Sequence, residues 1–216
     1  MPNVKEILAI LKNTYPKAKI VLNYHSPWEL LVAVILSAQC TDKKVNQITQ
    51  TLFKKYKSLD DYTKAEIKEF EKDIRPAGFY RNKAKNILTA AKIVKEKFNG
   101  MVQKSMPEIL TLQGVARKTA NVVLGNAYGI VEGIAVDTHM IRINQRLGLT
   151  KNNDPVKIER DLMRLIPKDR WFSYTYEIID FGRSICDAKK PRCEICPINK
   201  ICSFAFKTKI LNNRKF

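Results

Sequence analysis

Four of the five cysteines of this chain fall within seventeen residues near its C-terminus, Cys186, Cys193, Cys196 and Cys202, spaced C-x6-C-x2-C-x5-C. Thiolates that close in sequence can converge on one metal centre, and the spacing accepts either zinc or an iron–sulfur cluster. Two disulfides are the alternative. Disulfide scaffolds are usually short and secreted. This chain has 216 residues and opens MPNVKEILAI, with no evident export signal, so free thiols in a reducing cytosol are expected.

A second group lies mid-chain. Leu112-Gln113-Gly114-Val115-Ala116-Arg117-Lys118-Thr119-Ala120 reads as a tight turn between two helical segments. The start of the second helix exposes backbone N–H groups that, with the helix dipole, can hold a phosphate. Gly114 allows close approach. Lys118 sits in the first turn beside Arg117, and both the positive helix end and the cationic neighbour disfavour protonation of its amine. Such a lysine can act as a nucleophile and form a Schiff base, whereas an ordinary surface lysine stays solvated. Asp137, before Thr138-His139-Met140, is a natural helix N-cap.

The formal net charge is +18, with 39 Lys and Arg against 21 Asp and Glu, spread along the chain. That pattern suits a folded surface that neutralises phosphates. The longest apolar run, Leu30 to Leu36, is too short to cross a bilayer, and no basic amphipathic segment with a broad aromatic face points to a membrane surface.

The elements that must position these groups read as helices throughout. Val4, Ile7, Leu8 and Leu11 follow the helical period. Ser26-Pro27-Trp28-Glu29 is a capping box with proline at the first helical position, followed by the apolar run. Asp42 is expected to cap the helix carrying Val45, Ile48, Leu52 and Phe53. Thr63–Glu66 and Ser105–Glu108 read as further capping boxes. Ala84, Ile87, Leu88, Ala91, Val94 and Phe98 mark a long helix stopping at Asn99-Gly100. Asp137 starts another, ending near Gly148, and Asp154-Pro155 starts one that Pro167 closes. Segments 115–127 and 170–185 complete an all-α set. A domain crossing is expected at Gly129 to Ile134.

LQGVARKTANVVL, then AVDTH at 135–139, then the cysteine spacing, together resemble the endonuclease III family of DNA glycosylases. LSAQCTDKKVN at 36–46 and GFYRNKAKNI at 78–87 are similar to two further segments of that family, in the same order. The resemblance runs from about Pro27 to Cys202. It implies two helical domains flanking a DNA-binding cleft: a six-helix barrel with a helix–hairpin–helix, over 22–131, and an iron–sulfur cluster domain, over 1–21 plus 132–216. It implies a [4Fe–4S] cluster on Cys186, Cys193, Cys196 and Cys202, with Cys40 left as a small buried residue. Lys118 is implied as catalytic nucleophile and Asp137 as catalytic carboxylate, with His139 making a structural hydrogen bond.

The implied substrate is double-stranded DNA with damaged pyrimidines or abasic sites, handled by a monomer in the cytoplasm, at the nucleoid. The implied chemistry is base removal followed by strand cutting on the 3′ side. Implied DNA contacts are Gln39, filling the space of a flipped nucleotide, and Phe79, an apolar wedge whose plain alternative is a core residue. Gly114, Ala116, Arg117 and Thr119 in the hairpin, and Lys189, Lys190 and Arg192 between the first two cluster cysteines, complete the set. The family commonly has Pro-Gly-Val-Gly where this chain has Gln113-Gly114-Val115-Ala116. An alanine held there at positive φ would be strained by about 1 kcal/mol or more.

Two alternatives differ in kind. A monofunctional adenine-type glycosylase would lack the nucleophilic lysine and carry a further C-terminal domain. A non-catalytic DNA-binding module would hold zinc on the same cysteines, and Lys118 with Asp137 speaks against it.

Overall fold

A computed structural model describes residues 3–205. Among these the expected all-α fold is borne out, with eleven α-helices, four short 3-10 turns and no strand. The helices are α1 (Val4–Thr14), α2 (Pro27–Leu36), α3 (Asp42–Lys55), α4 (Leu59–Lys64), α5 (Ile67–Ile74), α6 (Tyr80–Lys97), α7 (Met106–Ile109), α8 (Arg117–Tyr128), α9 (Thr138–Leu147), α10 (Pro155–Leu165) and α11 (Trp171–Ser184). Chain contacts divide the molecule into two compact units. One is Val21–Glu132; the other joins the N-terminal segment up to Ile20 to the chain from Gly133 onward. Positions 1–2 and 206–216 of the expected iron–sulfur domain lie outside the described residues.

In the first unit α2 is the central pillar. Every residue from Leu30 to Leu36 is buried, and α3, α6 and α8 pack around it. Burying each large aliphatic side chain is worth about 1.5–3 kcal/mol, so Leu31→Ala would cost roughly 2–5 kcal/mol. Ser26 begins α2 by accepting the Glu29 N–H, while the Glu29 carboxylate takes the His25 N–H rather than that of Ser26. Trp28, Tyr56, Tyr62 and Phe70 form a continuous set of ring contacts beside it.

Three expected caps are corrected. Thr41, not Asp42, caps α3, because its hydroxyl accepts the Lys44 N–H. The 63–66 box does not form. Thr63 lies inside α4, Glu66 caps α5 through its own carboxylate, and the reciprocal box is Ser58 with Asp61. Ser105 precedes α7, but its hydroxyl bonds the Glu108 carboxylate instead of a backbone N–H.

In the second unit α11 packs against α1 and α9. Gly182 makes the α9 contact possible, since a Cβ there would strike His139, Ile143 and Arg142. Asn144 and Tyr174, both buried, share a 2.5 Å hydrogen bond across the same interface. α9 ends at Gly148, whose φ of 76° is a left-handed C-cap.

Candidate DNA-repair site and cluster cradle

The hairpin turns at Gly114, with φ of 80°. Leu112 and Val115 anchor it in the core, while Gln113, Gly114 and Ala116 are exposed. Ala116 is the N-cap of α8 at φ −96° and ψ 171°, ordinary extended backbone. The condition for strain, a positive φ, is therefore not met. Gly114 is the position that demands glycine, and Ala116 is not. Alanine has no oxygen to cap with, so α8 begins without a side-chain cap. Arg117, Lys118 and Thr119 form its first turn, Lys118 exposed and the other two half-buried.

This start differs from most helices in the chain. α1, α2, α3, α4, α5, α9 and α10 each begin on a polar side chain that accepts an N–H of the first turn. α6 and α8 begin instead on Phe79 and Ala116.

Phe79 is 66% exposed, which removes the core alternative. It holds a left-handed conformation at φ 46°, and exposed Gln39, between α2 and α3, does the same at φ 52°. Non-glycine residues at positive φ are uncommon and cluster where function holds them. Cys40 beside Gln39 is half-buried rather than fully buried, and it stands far along the chain from the other four cysteines.

In the second unit Asp137 caps α9, its Oδ1 accepting the Met140 N–H at 2.8 Å. His139 Nδ1 lies 3.1 Å from Arg142 Nη2, the structural hydrogen bond expected of it. Arg142 also donates to the Cys186 carbonyl.

Cys186, Cys193, Cys196 and Cys202 line one cavity, with Arg146, Leu147, Phe181 and Ile198 among its other walls. Short 3-10 turns at Cys193–Ile195 and Asn199–Ile201 shape it. Among the described residues, no three His, Cys, Asp or Glu side chains close on a point the size of one ion. Four cysteines on one cavity are a donor set that a multi-iron cluster accepts.

Burial first, and neighbouring thiolates after it, push the Cys196 thiol up to about 11; burial raises Cys193 as well. Burial thus resists ionisation of Cys193 and Cys196, and a bound metal centre reverses that preference. Arg146 was not anticipated. Its Nη1 lies 3.3 Å from Cys186 Sγ, and its guanidinium also donates to the Asp187 and Ala188 carbonyls.

The loop after Cys186 is held from inside. Asp187 Oδ1 accepts the N–H groups of Lys189 and Lys190, bonds that hold its carboxyl below the usual range. Both lysines are exposed, as is Arg192, whose Nη2 donates to the Ser184 carbonyl.

Comparison with known proteins defines the class. Residues 32–168 match the HhH-GPD superfamily of base excision DNA repair proteins. Residues 186–202, bounded by Cys186 and Cys202, match the iron–sulfur binding domain of endonuclease III. Endonuclease III of Synechocystis sp. is 52% identical over 200 residues, covering 93% of this chain and 91% of that protein. Endonuclease III of Bacillus subtilis is 45% identical over 206 residues, covering 94% of each. A solved structure of a trapped endonuclease III–DNA covalent intermediate matches with TM-score 0.92 at 41% identity, covering 97% of this chain and 100% of that one. A thermostable thymine-DNA glycosylase matches at TM-score 0.84 and 25% identity, covering 94% of this chain and 97% of that one.

The chain belongs to the endonuclease III family. It is a DNA-binding enzyme of base excision repair, a DNA glycosylase with abasic-site lyase activity. Its cofactor is a [4Fe–4S] cluster.

Proposed function

We propose that this protein removes oxidised pyrimidines from duplex DNA and then cuts the strand 3′ to the resulting abasic site, with Lys118 as nucleophile and Asp137 as the carboxylate that stabilises charge developing on the sugar. The start of α8 carries this reading: an exposed lysine in the first turn of a helix that lacks a side-chain cap, behind a glycine turn. The backbone N–H groups there suit a phosphate of the damaged strand, which would bring the sugar toward Lys118.

The damaged nucleotide leaves the stack. Gln39 fills the vacated space and Phe79 wedges the bent duplex. Asp137 stabilises positive charge developing on the sugar, and its N-cap bond fixes the carboxylate. Lys118 Nζ attacks C1′ as the base departs with the bonding electrons. The sugar ring opens to a Schiff base on Lys118. Loss of a proton from C2′ then expels the 3′ phosphate as the C3′–O bond breaks.

Cys186, Cys193, Cys196 and Cys202 are the ligands that would hold the cluster, which when bound supplies a covalent tie across the loop carrying Lys189, Lys190 and Arg192. Those three cations neutralise backbone phosphates. Val21–Glu132 serves as the barrel domain with its hairpin, and the chain from Gly133, with the N-terminal segment, as the cluster domain. The enzyme works as a monomer in the cytoplasm, at the nucleoid. No helix among the described residues is long and apolar enough to cross a membrane.

The test is a duplex carrying one thymine glycol beside a duplex carrying an adenine mispair. Cleavage of the first, ending in a 3′ unsaturated aldehyde, is expected. Preference for the mispair without strand cutting would overturn the reading.

A further inference from the structure

Lys83 lies on α6 at 5% exposure, one of three charged side chains buried among the described residues. Among the described residues its ammonium pairs with no carboxylate. It donates to two backbone carbonyls, Leu36 O and Ala77 O, each at 2.9 Å. Burying a cation this way is costly, and a methionine could fill the same space without that cost. The charge therefore needs a reason.

Its two partners supply one. Leu36 is the last residue of α2, where helical carbonyls lack an intrahelical donor and the dipole is negative. The carbonyls of Ala33, Val34 and Ile35 are met locally, by the Ser37 N–H, the Ser37 hydroxyl and the Ala38 N–H. The carbonyl of Leu36 is met by Lys83. Three residues on stands Gln39. Ala77 closes the 3-10 turn Arg75–Ala77, and two residues on stands Phe79. Gln39 and Phe79 are two of the three non-glycine residues at positive φ among the described residues. One buried ammonium thus fastens the roots of both loops. Burial lowers its pKa from the ordinary lysine value, with the Cys40 thiol acting in the opposite sense.

We infer that Lys83 is a positioning residue for DNA distortion, setting Gln39 and Phe79 at a fixed separation so that both enter the stack together. This rests on the proposed roles of those two side chains. Lys83 touches neither substrate nor the reacting atoms.

The experiment uses the full-length, cluster-loaded enzyme and a duplex with 2-aminopurine opposite an abasic site. Fluorescence follows entry into the stack, and gel assay follows strand cutting. Lys83→Met is expected to abolish most of the fluorescence change and to slow duplex cleavage on the order of a hundredfold, the scale of a 1 Å misplacement. In a Gln39→Ala, Phe79→Ala background the same substitution should add little, because the parts it positions are gone.

Equal slowing by Lys83→Met in both backgrounds would show general structural damage and overturn the inference. So would an unchanged fluorescence signal in folded Lys83→Met protein. If the Gln39→Ala, Phe79→Ala enzyme itself cuts at the normal rate, the roles of those two side chains fail instead. Should Lys83→Met not fold, Lys83→Gln keeps N–H donors on a neutral side chain one bond shorter, and so part of the bonding to the two carbonyls. It is then expected to give an intermediate loss with the same dependence on background, and a background-independent loss would overturn the inference.

Discussion

Asn86 packs against Gly114 so closely that a Cβ built on the glycine would lie 2.7 Å from Asn86 Nδ2. The hairpin tip is thereby fixed to α6 by a contact that only glycine permits. Gly114→Ala should destabilise the protein by about 1–3 kcal/mol, from crowding and from the left-handed φ together. Urea unfolding reads this. Gly114→Ala with Asn86→Ala should recover only the crowding from the amide group, because Asn86 Cβ stays 2.8 Å from the added methyl, and should leave at least about 1 kcal/mol. Full recovery would mean that φ is not a constraint.

Ala116 leaves α8 without a side-chain cap, and its extended backbone is suited to a capping residue. Ala116→Ser should stabilise the fold by about 0.5–2 kcal/mol, the usual worth of an N-cap. Its hydroxyl would compete with phosphate for the same N–H groups, so affinity for abasic duplex should fall as melting temperature rises. A rise in both would argue that no phosphate binds there.

Asp137 is assigned two duties that substitution separates. Asp137→Asn can still cap α9, whereas Asp137→Ala cannot and should lose about 1 kcal/mol. Both should lose base excision, because neither carries a negative charge. Thermal melts beside single-turnover excision make the comparison. Normal excision by Asp137→Asn would remove the carboxylate from the mechanism.

Arg146 joins α9 to the cysteine loop through Cys186 Sγ and two carbonyls, and its guanidinium stacks 4.6 Å from the centre of the Phe204 ring. Arg146→Leu should hasten loss of the cluster's visible absorbance under chelator on the order of ten- to a hundredfold, as for other partners of metal ligands. Unaltered decay would mean that the remaining loop bonds suffice.

The helices and their order were legible because apolar spacing and Pro, Gly and Asp punctuation agree in α2, α6, α9 and α10. Capping-box patterns were less secure. Ser and Thr recur so often that Thr63–Glu66 imitates a start while Ser58–Asp61 forms one. The cysteine cavity was visible in spacing alone. Arg146 was not, since forty residues separate it from Cys186 and only the fold brings them together. Lys83 did leave a trace. It falls on the stripe of Ile87, Ala90 and Val94, where an apolar residue is the norm. The φ of Ala116 could not be read from its neighbours, so the sequence left open whether the missing glycine strains the turn; the extended backbone there shows that it does not.

The central claim is that Lys118 forms a Schiff base with DNA. Borohydride added to enzyme and abasic duplex should leave a permanent protein–DNA cross-link, with mass spectrometry of the digested adduct placing it on Lys118. Lys118→Ala should bind the duplex and give no cross-link. A cross-link that persists in Lys118→Ala, or its absence from bound wild-type enzyme, would contradict the account.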